Sequence, residues 1–341
     1  MKIIFTIQHP AHVHLFRNSI RQLSENGNDV FIIVRKKEIN TELLELYDIN
    51  HTVVADEPSS MFHLPFVQLQ YEKALIRAVR RIDPDVLVAM GEPAITHAAA
   101  ATDAKSLVFT DTEHATLQNA LCFPFADRIY TPECYDDNIG SKQVRYPGYH
   151  ELAYLHPNRF EPDPSILSEA NVERDERFAI LRLVSWDAVH DIGDGGFSDI
   201  VDVVKALEAT GTTVRITSEA ELPASIRDRK VSVPPHRIHD LMAFADLFVG
   251  ESATMAAESA VLGTPAVYVS SSQLGYIDEL EHQYGLLFTY SGADRHERGL
   301  DKAISILERN DSEQWKRRRE RLLADKVDTT NVIVNAVQEV A

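Results

Sequence analysis

The chain has 341 residues, with 34 basic against 52 acidic side chains and a formal charge of −18 at pH 7. So large an acidic excess excludes a nucleic-acid partner, which requires a basic face. Because the excess is dispersed, it suits a soluble, salt-adapted protein that resists association by self-repulsion. The two cysteines, Cys122 and Cys134, make neither a disulfide framework nor a metal motif, and the length suffices for two cores.

Residues 1–9 read as a short buried strand and not as a signal peptide, having one basic residue, a brief apolar core and no small-residue cleavage site. No apolar run reaches the roughly 20 residues that span a bilayer, so a cytoplasmic location is expected. Strands are predicted at 3–7, 30–34, 52–55, 86–90, 106–110 and 128–131, alternating with helices at 12–26, 41–47, 66–81 and 94–102. Around 146–178 the alternation fails: Pro147-Gly148, Pro157, Pro162 and Pro164 interrupt regular structure. A second series follows, with strands at 178–183, 213–217, 230–233, 247–249, 266–269 and 286–288 and helices at 199–209, 237–244, 253–262 and 297–309. Such alternation predicts parallel α/β sheets. The expectation is a Rossmann-like domain at 1–150, a connection at 151–177 and a second Rossmann-like domain at 178–325. An apolar-faced last helix is expected within 326–341. Two doubly wound domains facing a central cleft place ligands outside the carboxyl ends of their strands.

The most telling stretch is Leu247-Phe248-Val249-Gly250-Glu251-Ser252-Ala253-Thr254, an apolar strand opening into a helix that carries Glu258. Unsatisfied N–H groups at a helix start suit phosphate, and a carboxylate one to two turns in suits ribose hydroxyls. The same spacing also serves an ordinary β-α-β unit with a Ser/Thr cap and a surface glutamate.

Other post-strand loops are His9-Pro10-Ala11-His12-Val13-His14, Gly91-Glu92-Pro93, Asp111-Thr112-Glu113-His114, the run from Tyr146 to Leu155 and the run from Arg182 to Asp191. Together with the opening of the late helix, this set resembles domain of unknown function family 354, an archaeal and bacterial family, over essentially the whole chain. More distantly the chain is similar to two-domain sugar-nucleotide enzymes of the GT-B fold. The nearest of these are the peptidoglycan N-acetylglucosaminyltransferase and the hydrolysing UDP-N-acetylglucosamine 2-epimerase.

The resemblance implies a nucleotide-diphosphate-sugar partner, most simply UDP-linked, and a glycan or lipid-linked acceptor. The likeness to GT-B enzymes also implies that the last helix packs back on the first domain. In the epimerase a Ser-Gly-Gly turn holds the diphosphate and a glutamate four residues later holds ribose; Ser252, Ala253, Thr254 and Glu258 match, with both glycines replaced. His12 matches a histidine of the transferase and is the candidate base, since imidazole titrates near neutrality; its alternative is a cap-region hydrogen bond. Glu92 and Glu113, with Asp111 and Glu133, are candidate acids and bases, or else helix caps. The epimerase's basic residue in the first loop has no counterpart before Arg17, which favours transfer, with 2-epimerisation and non-catalytic nucleotide-sugar binding as alternatives. Arg182 is the candidate diphosphate fork. Ser185, Trp186 and His190 are candidate sugar contacts, and His236 and Arg237 lie where GT-B relatives meet the nucleotide.

No metal site is expected, because His12 and His14 at i, i+2 point to different sides of a helix. Mg²⁺ is the only cofactor considered, as an offset to Asp187, Asp191 and Asp194. The charged run 315–325 reads as a solvated face, with a peripheral contact to anionic lipid as the alternative. Monomer and homodimer are both left open.

Overall fold

The structure, a computed structural model, describes residues 1–37, 39–56, 64–183, 200–218, 221–270, 274–309 and 311–340. It divides into two compact units, Met1–Arg159 with Lys326–Ala341, and Phe160–Asp325. In the first unit β1 (Lys2–Ile7), α1 (Pro10–Glu25), β2 (Asp29–Arg35), α2 (Asn40–Leu46), β3 (Thr52–Ala55) and α3 (Leu64–Ile82) come first. They are followed by β4 (Val86–Met90), α4 (Pro93–Ala100), β5 (Lys105–Phe109), α5 (Thr116–Cys122), β6 (Arg128–Pro132), β7 (Gln143–Tyr146) and α6 (Leu152–Leu155). The second unit runs α7 (Ser165–Glu169), β8 (Phe178–Leu183), α8 (Ile200–Glu208), β9 (Thr213–Ser218), α9 (Ile238–Ala243), β10 (Leu247–Gly250) and α10 (Ala253–Leu262). It continues with β11 (Ala266–Val269), α11 (Gly275–Glu279), β12 (Leu287–Tyr290), α12 (Arg295–Arg309) and α13 (Ser312–Asp325); α14 (Thr329–Glu339) then returns to the first unit.

Both sheets are parallel throughout, in the orders β3-β2-β1-β4-β5-β6-β7 and β12-β11-β10-β8-β9. The strand order reverses between β1 and β4 in one sheet and between β8 and β10 in the other. A crevice opens at such a reversal, where ligands of open α/β sheets bind. The central strands are buried on both faces and therefore read as continuous apolar runs, such as Ile3-Ile4-Phe5 and Leu247-Phe248-Val249.

One local expectation is corrected. Residues 230–233 form no strand; Lys230 makes a lone parallel bridge to Ile216, and Pro234 and Pro235 follow without the N–H donors a ladder needs. The edge strand β7 and the short helix α5 were not foreseen, both being brief and partly polar. The chain passes from one unit to the other at Arg159–Phe160, within the 151–177 stretch. On its first side α6 buries Leu152, Ala153, Tyr154 and Leu155; on its second, α7 buries Ile166 and Leu167.

The final helix is fastened by polar contacts before it buries Ile333, Val334, Ala336 and Val337. Asp328 caps it by accepting from the Thr330 N–H at 2.9 Å and also receives Arg159 Nε at 2.7 Å. The hydroxyls of Thr329 and Thr330 donate to the carbonyls of Tyr149 and Ala153, each at 2.6 Å. α14 packs against α1 and α6.

Candidate functional site

Each unit has polar residues at its own reversal point. In the first, Pro10 opens α1, and His9 caps it by accepting the Ala11 N–H on Nδ1 at 3.1 Å. His12 Nδ1 accepts the Gln8 N–H at 3.4 Å, which leaves the proton of the neutral ring on Nε2. Burial, then the charges of His9, His150 and Lys37, pull the His12 pKa down to about 3. His12 is thus a neutral imidazole at pH 7, a poor base and a competent donor through Nε2. His14 turns away and packs between Tyr47 and Tyr154, with ring centroids 5.9 and 5.2 Å distant. Among the described residues no three His, Cys, Asp or Glu side chains gather as metal ligands.

Glu92 occupies the cap position of α4 but makes no capping hydrogen bond. Its carboxyl instead turns into the sheet, accepting from the Thr6 hydroxyl beneath β1, with Tyr71 of α3 alongside. It is buried, and burial raises its pKa against the lowering effect of Thr6, Tyr71 and Arg35. Asp111, after β5, lies 2.9 Å from His150 Nδ1, after β7, and both are buried. Burial pushes the Asp111 carboxyl up, but the charge and hydrogen bond of His150 and the Thr112 hydroxyl outweigh it and hold the carboxyl below its usual range. Sequence reasoning missed His150, Thr6 and Tyr71. Thr6 and His150 stand near strand ends, whereas Tyr71 lies mid-helix in α3 with no local signal.

Glu113 accepts the Asp136 N–H at 3.3 Å and borders a cavity of about 640 Å³ lined also by Thr116, Asn119, Ala120, Phe123 and Ile139. Glu133 is exposed.

In the second unit Gly250, ending β10, pairs in register with Arg182 of β8. A Cβ at 250 would lie 2.7 Å from Arg182 Cβ and 2.8 Å from its carbonyl oxygen, so only glycine lets these strands close at the reversal. Ser252 then caps α10, its hydroxyl accepting from the Met255 N–H at 3.4 Å, and Ala253 and Thr254 supply the first turn. The next acid inward, Glu258, is not a surface residue: it is 5% exposed, and its Oε1 is 2.9 Å from His239 Nε2 on α9. His239 was another omission of the sequence reading. Beside the cap, Glu251 lies 3.6 Å from His296 at the start of α12.

Arg237 is held by three carboxylates. It binds Asp240 at 2.7 Å, Asp163 at 3.0 Å and Glu169 at 3.1 Å, tying α7 to α9. His236 sits in the turn just before it, partly buried. Ser185, Trp186 and His190 lie outside the described residues. In α13, Arg319 Nε donates to Val261 O at 3.0 Å and Arg318 to Gly285 O, while Arg321 lies over Tyr284. Arg318 and Arg319 of the charged run therefore turn to protein, while Arg321 is exposed.

Two open parallel sheets in series, each with its polar cluster at a strand-order reversal, define a protein of the GT-B fold. The whole chain, residues 1–341, matches the family described as Protein of unknown function (DUF354), and it belongs to that family. A relative, the uncharacterized protein MJ0665 of Methanocaldococcus jannaschii, is 22% identical over 281 residues, covering 79% of this chain and 81% of its own. Among solved structures, UDP-GlcNAc 2-epimerase from Neisseria meningitidis bound to UDP-GlcNAc aligns with a TM-score of 0.71 at 13% identity, covering 99% of this chain and 100% of the other. The spinosyn forosaminyltransferase SpnP aligns at 0.66 with 14% identity, covering 100% and 99%. Identities this low carry the fold and not the reaction.

Proposed function

We propose that the protein is a glycosyltransferase-like enzyme that holds a nucleotide-diphosphate sugar, most simply UDP-linked, at the reversal point of its second unit. The observation that carries this reading is the seat at β8, β10 and α10: Gly250 without a side chain, Arg182 in register beside it, and the Ser252-capped start of a ten-residue helix. Free amides at a helix start and an adjacent guanidinium suit a diphosphate, and their charge is preorganised to stabilise it as it departs. Glu258, braced by His239, is the ribose acceptor in this reading. Ala253, Thr254 and His236 line the approach, and Ser185 and His190 belong to the same proposal. Fold neighbours described as bound to UDP-GlcNAc or acting as a sugar transferase support the ligand class. Glu113 and its cavity take the acceptor side, with His12 as a neutral hydrogen-bond donor.

The second reading, a UDP-sugar 2-epimerase, is favoured by one observation. Burial raises the pKa of Glu92, which suits an acid.

Isothermal titration with UDP-sugars tests the seat. Saturable binding is expected, weakened at least about tenfold by Glu258→Gln and by Arg182→Ala, since a charged hydrogen bond contributes about 1.5–3 kcal/mol. Unchanged affinity in both variants removes the proposal. Incubation with UDP-N-acetylglucosamine and no acceptor then separates the readings: free epimerised sugar plus UDP identifies the epimerase.

A further inference from the structure

We propose that the outer face of α3, α4 and α5 docks this protein onto an anionic bilayer surface. This inference is independent of the nucleotide-sugar reading.

The helices cover one side of the first sheet, α3 against α4 and α4 against α5. A single side chain joins all three. His97 of α4 meets Glu72 of α3 at 2.6 Å through Nδ1, approaches Leu121 O of α5 at 3.2 Å through Nε2, and lies edge-on to Phe125 at 4.9 Å. Around this joint the apolar side chains that should be hidden are not. Leu117 is 74% exposed, Phe125 50%, Leu69 49% and Leu121 48%. Leu117 and Leu121 are one turn apart on α5, and Leu69 is one turn before Glu72, so the four share a surface. Large exposed apolar clusters mark contact sites, whereas isolated ones carry no such meaning.

The occupant follows from charge. Along α3, Leu69, Lys73, Arg77 and Arg80 recur at helical spacing on an exposed stripe, and Arg81 adds a further exposed cation. A chain of net charge −18 thus places four cations and one carboxylate on the helix beside its apolar patch. A second copy would set these cations against themselves. An anionic bilayer complements both properties: cations meet lipid headgroups, and Leu117, Leu121 and Phe125 enter the boundary region. No helix among the described residues is long and apolar enough to cross a membrane, so the contact is peripheral.

The opposite face of α5 gives this docking a consequence. Thr116, Asn119, Ala120 and Phe123, at i, i+3, i+4 and i+7, line the cavity that Glu113 borders. One helix therefore stands between bilayer and cavity.

Co-sedimentation of the full chain with vesicles tests the proposal. Binding is expected to mixed phosphatidylcholine–phosphatidylglycerol vesicles, to weaken as salt rises, and to be absent on pure phosphatidylcholine. L117D/L121D and, separately, K73E/R77E are expected to lower partitioning at least about tenfold while the melting temperature and UDP-sugar titration stay at wild-type values. All four positions are exposed, so neither pair disturbs the core. No partitioning onto phosphatidylglycerol, or partitioning that survives both pairs, overturns the proposal. So does a dimer, seen by sedimentation velocity, that L117D/L121D converts to monomer, because the occupant would then be a second copy.

Discussion

Glu92 and Asp111 stand at the ends of neighbouring strands, and their surroundings drive them in opposite directions. For Glu92 burial dominates and raises the pKa above the ordinary 4.5. Below that value both the folded and unfolded chains hold the proton and the residue has no pH effect. As pH rises through it, the unfolded chain releases the proton while the folded one retains it, so this residue makes stability fall with pH up to the folded pKa. Glu92→Gln removes the effect and keeps the shape and the acceptor for Thr6. The melting temperature of the variant should match wild type at pH 4 and exceed it by a few degrees at pH 8, about 2–4 °C for each kcal/mol recovered. Asp111 obeys the reverse sign. Its pKa is held down in the fold, so its contribution is present above the ordinary 3.8 and fades as pH falls through the folded value. Asp111→Asn should therefore lower stability at pH 7 more than at pH 3. A Glu92→Gln melting difference that does not change with pH would show that this carboxyl is ionised in the fold.

The element most in tension is the junction of β10 and α10. Gly250 lets β10 approach Arg182, and Gly263, with φ of 93°, ends α10 in the left-handed region where L side chains are strained. Gly250→Ala puts a methyl group within 3 Å of the Arg182 Cβ and carbonyl, so the strands must part or the guanidinium must move. Overpacking of this kind costs about 1–3 kcal/mol. The variant should lose several degrees of melting temperature, and UDP-sugar affinity should fall with it, as calorimetry and titration would report. Retained affinity in a destabilised variant would separate the ligand seat from the strand packing. The apolar strands and the capped late helix were legible in the sequence, because doubly buried parallel strands have no choice but continuous apolar runs. β7 was not, being a four-residue edge strand of mixed polarity. Nor could local patterns say which polar residues would meet. His150 with Asp111, and His239 with Glu258, are separated along the chain and joined only by strand order. Arg237, read as a nucleotide contact, faces carboxylates from α9, α7 and the loop before α7, and Arg318 and Arg319 of α13 bond carbonyls that no nearby sequence announces.

At the scale of the molecule, the first unit is built from both ends of the chain. Its core depends on α14, which covers α1 and α6 with Ile333, Val334 and Val337 only after the chain has built the second unit. Alternating βα units made two sheets predictable, and the return of an apolar-faced terminal helix to the first domain was implied by the resemblance to GT-B enzymes. The fastening was not foreseeable: Arg159 to Asp328, and two threonine hydroxyls to the carbonyls of Tyr149 and Ala153, span more than 160 residues of sequence. Buried side chains of this size each contribute about 1.5–3 kcal/mol, so losing three of them along with their polar anchors removes most of a typical margin of about 5–15 kcal/mol. Truncation after Asp325 should therefore abolish or sharply lower the melting transition of the first unit and leave that of the second near its wild-type temperature. Differential scanning calorimetry reads both, and UDP-sugar titration reports whether the second unit keeps its ligand. If the truncated chain melts as the full one does, α14 is an appendage and the first unit closes its core without it.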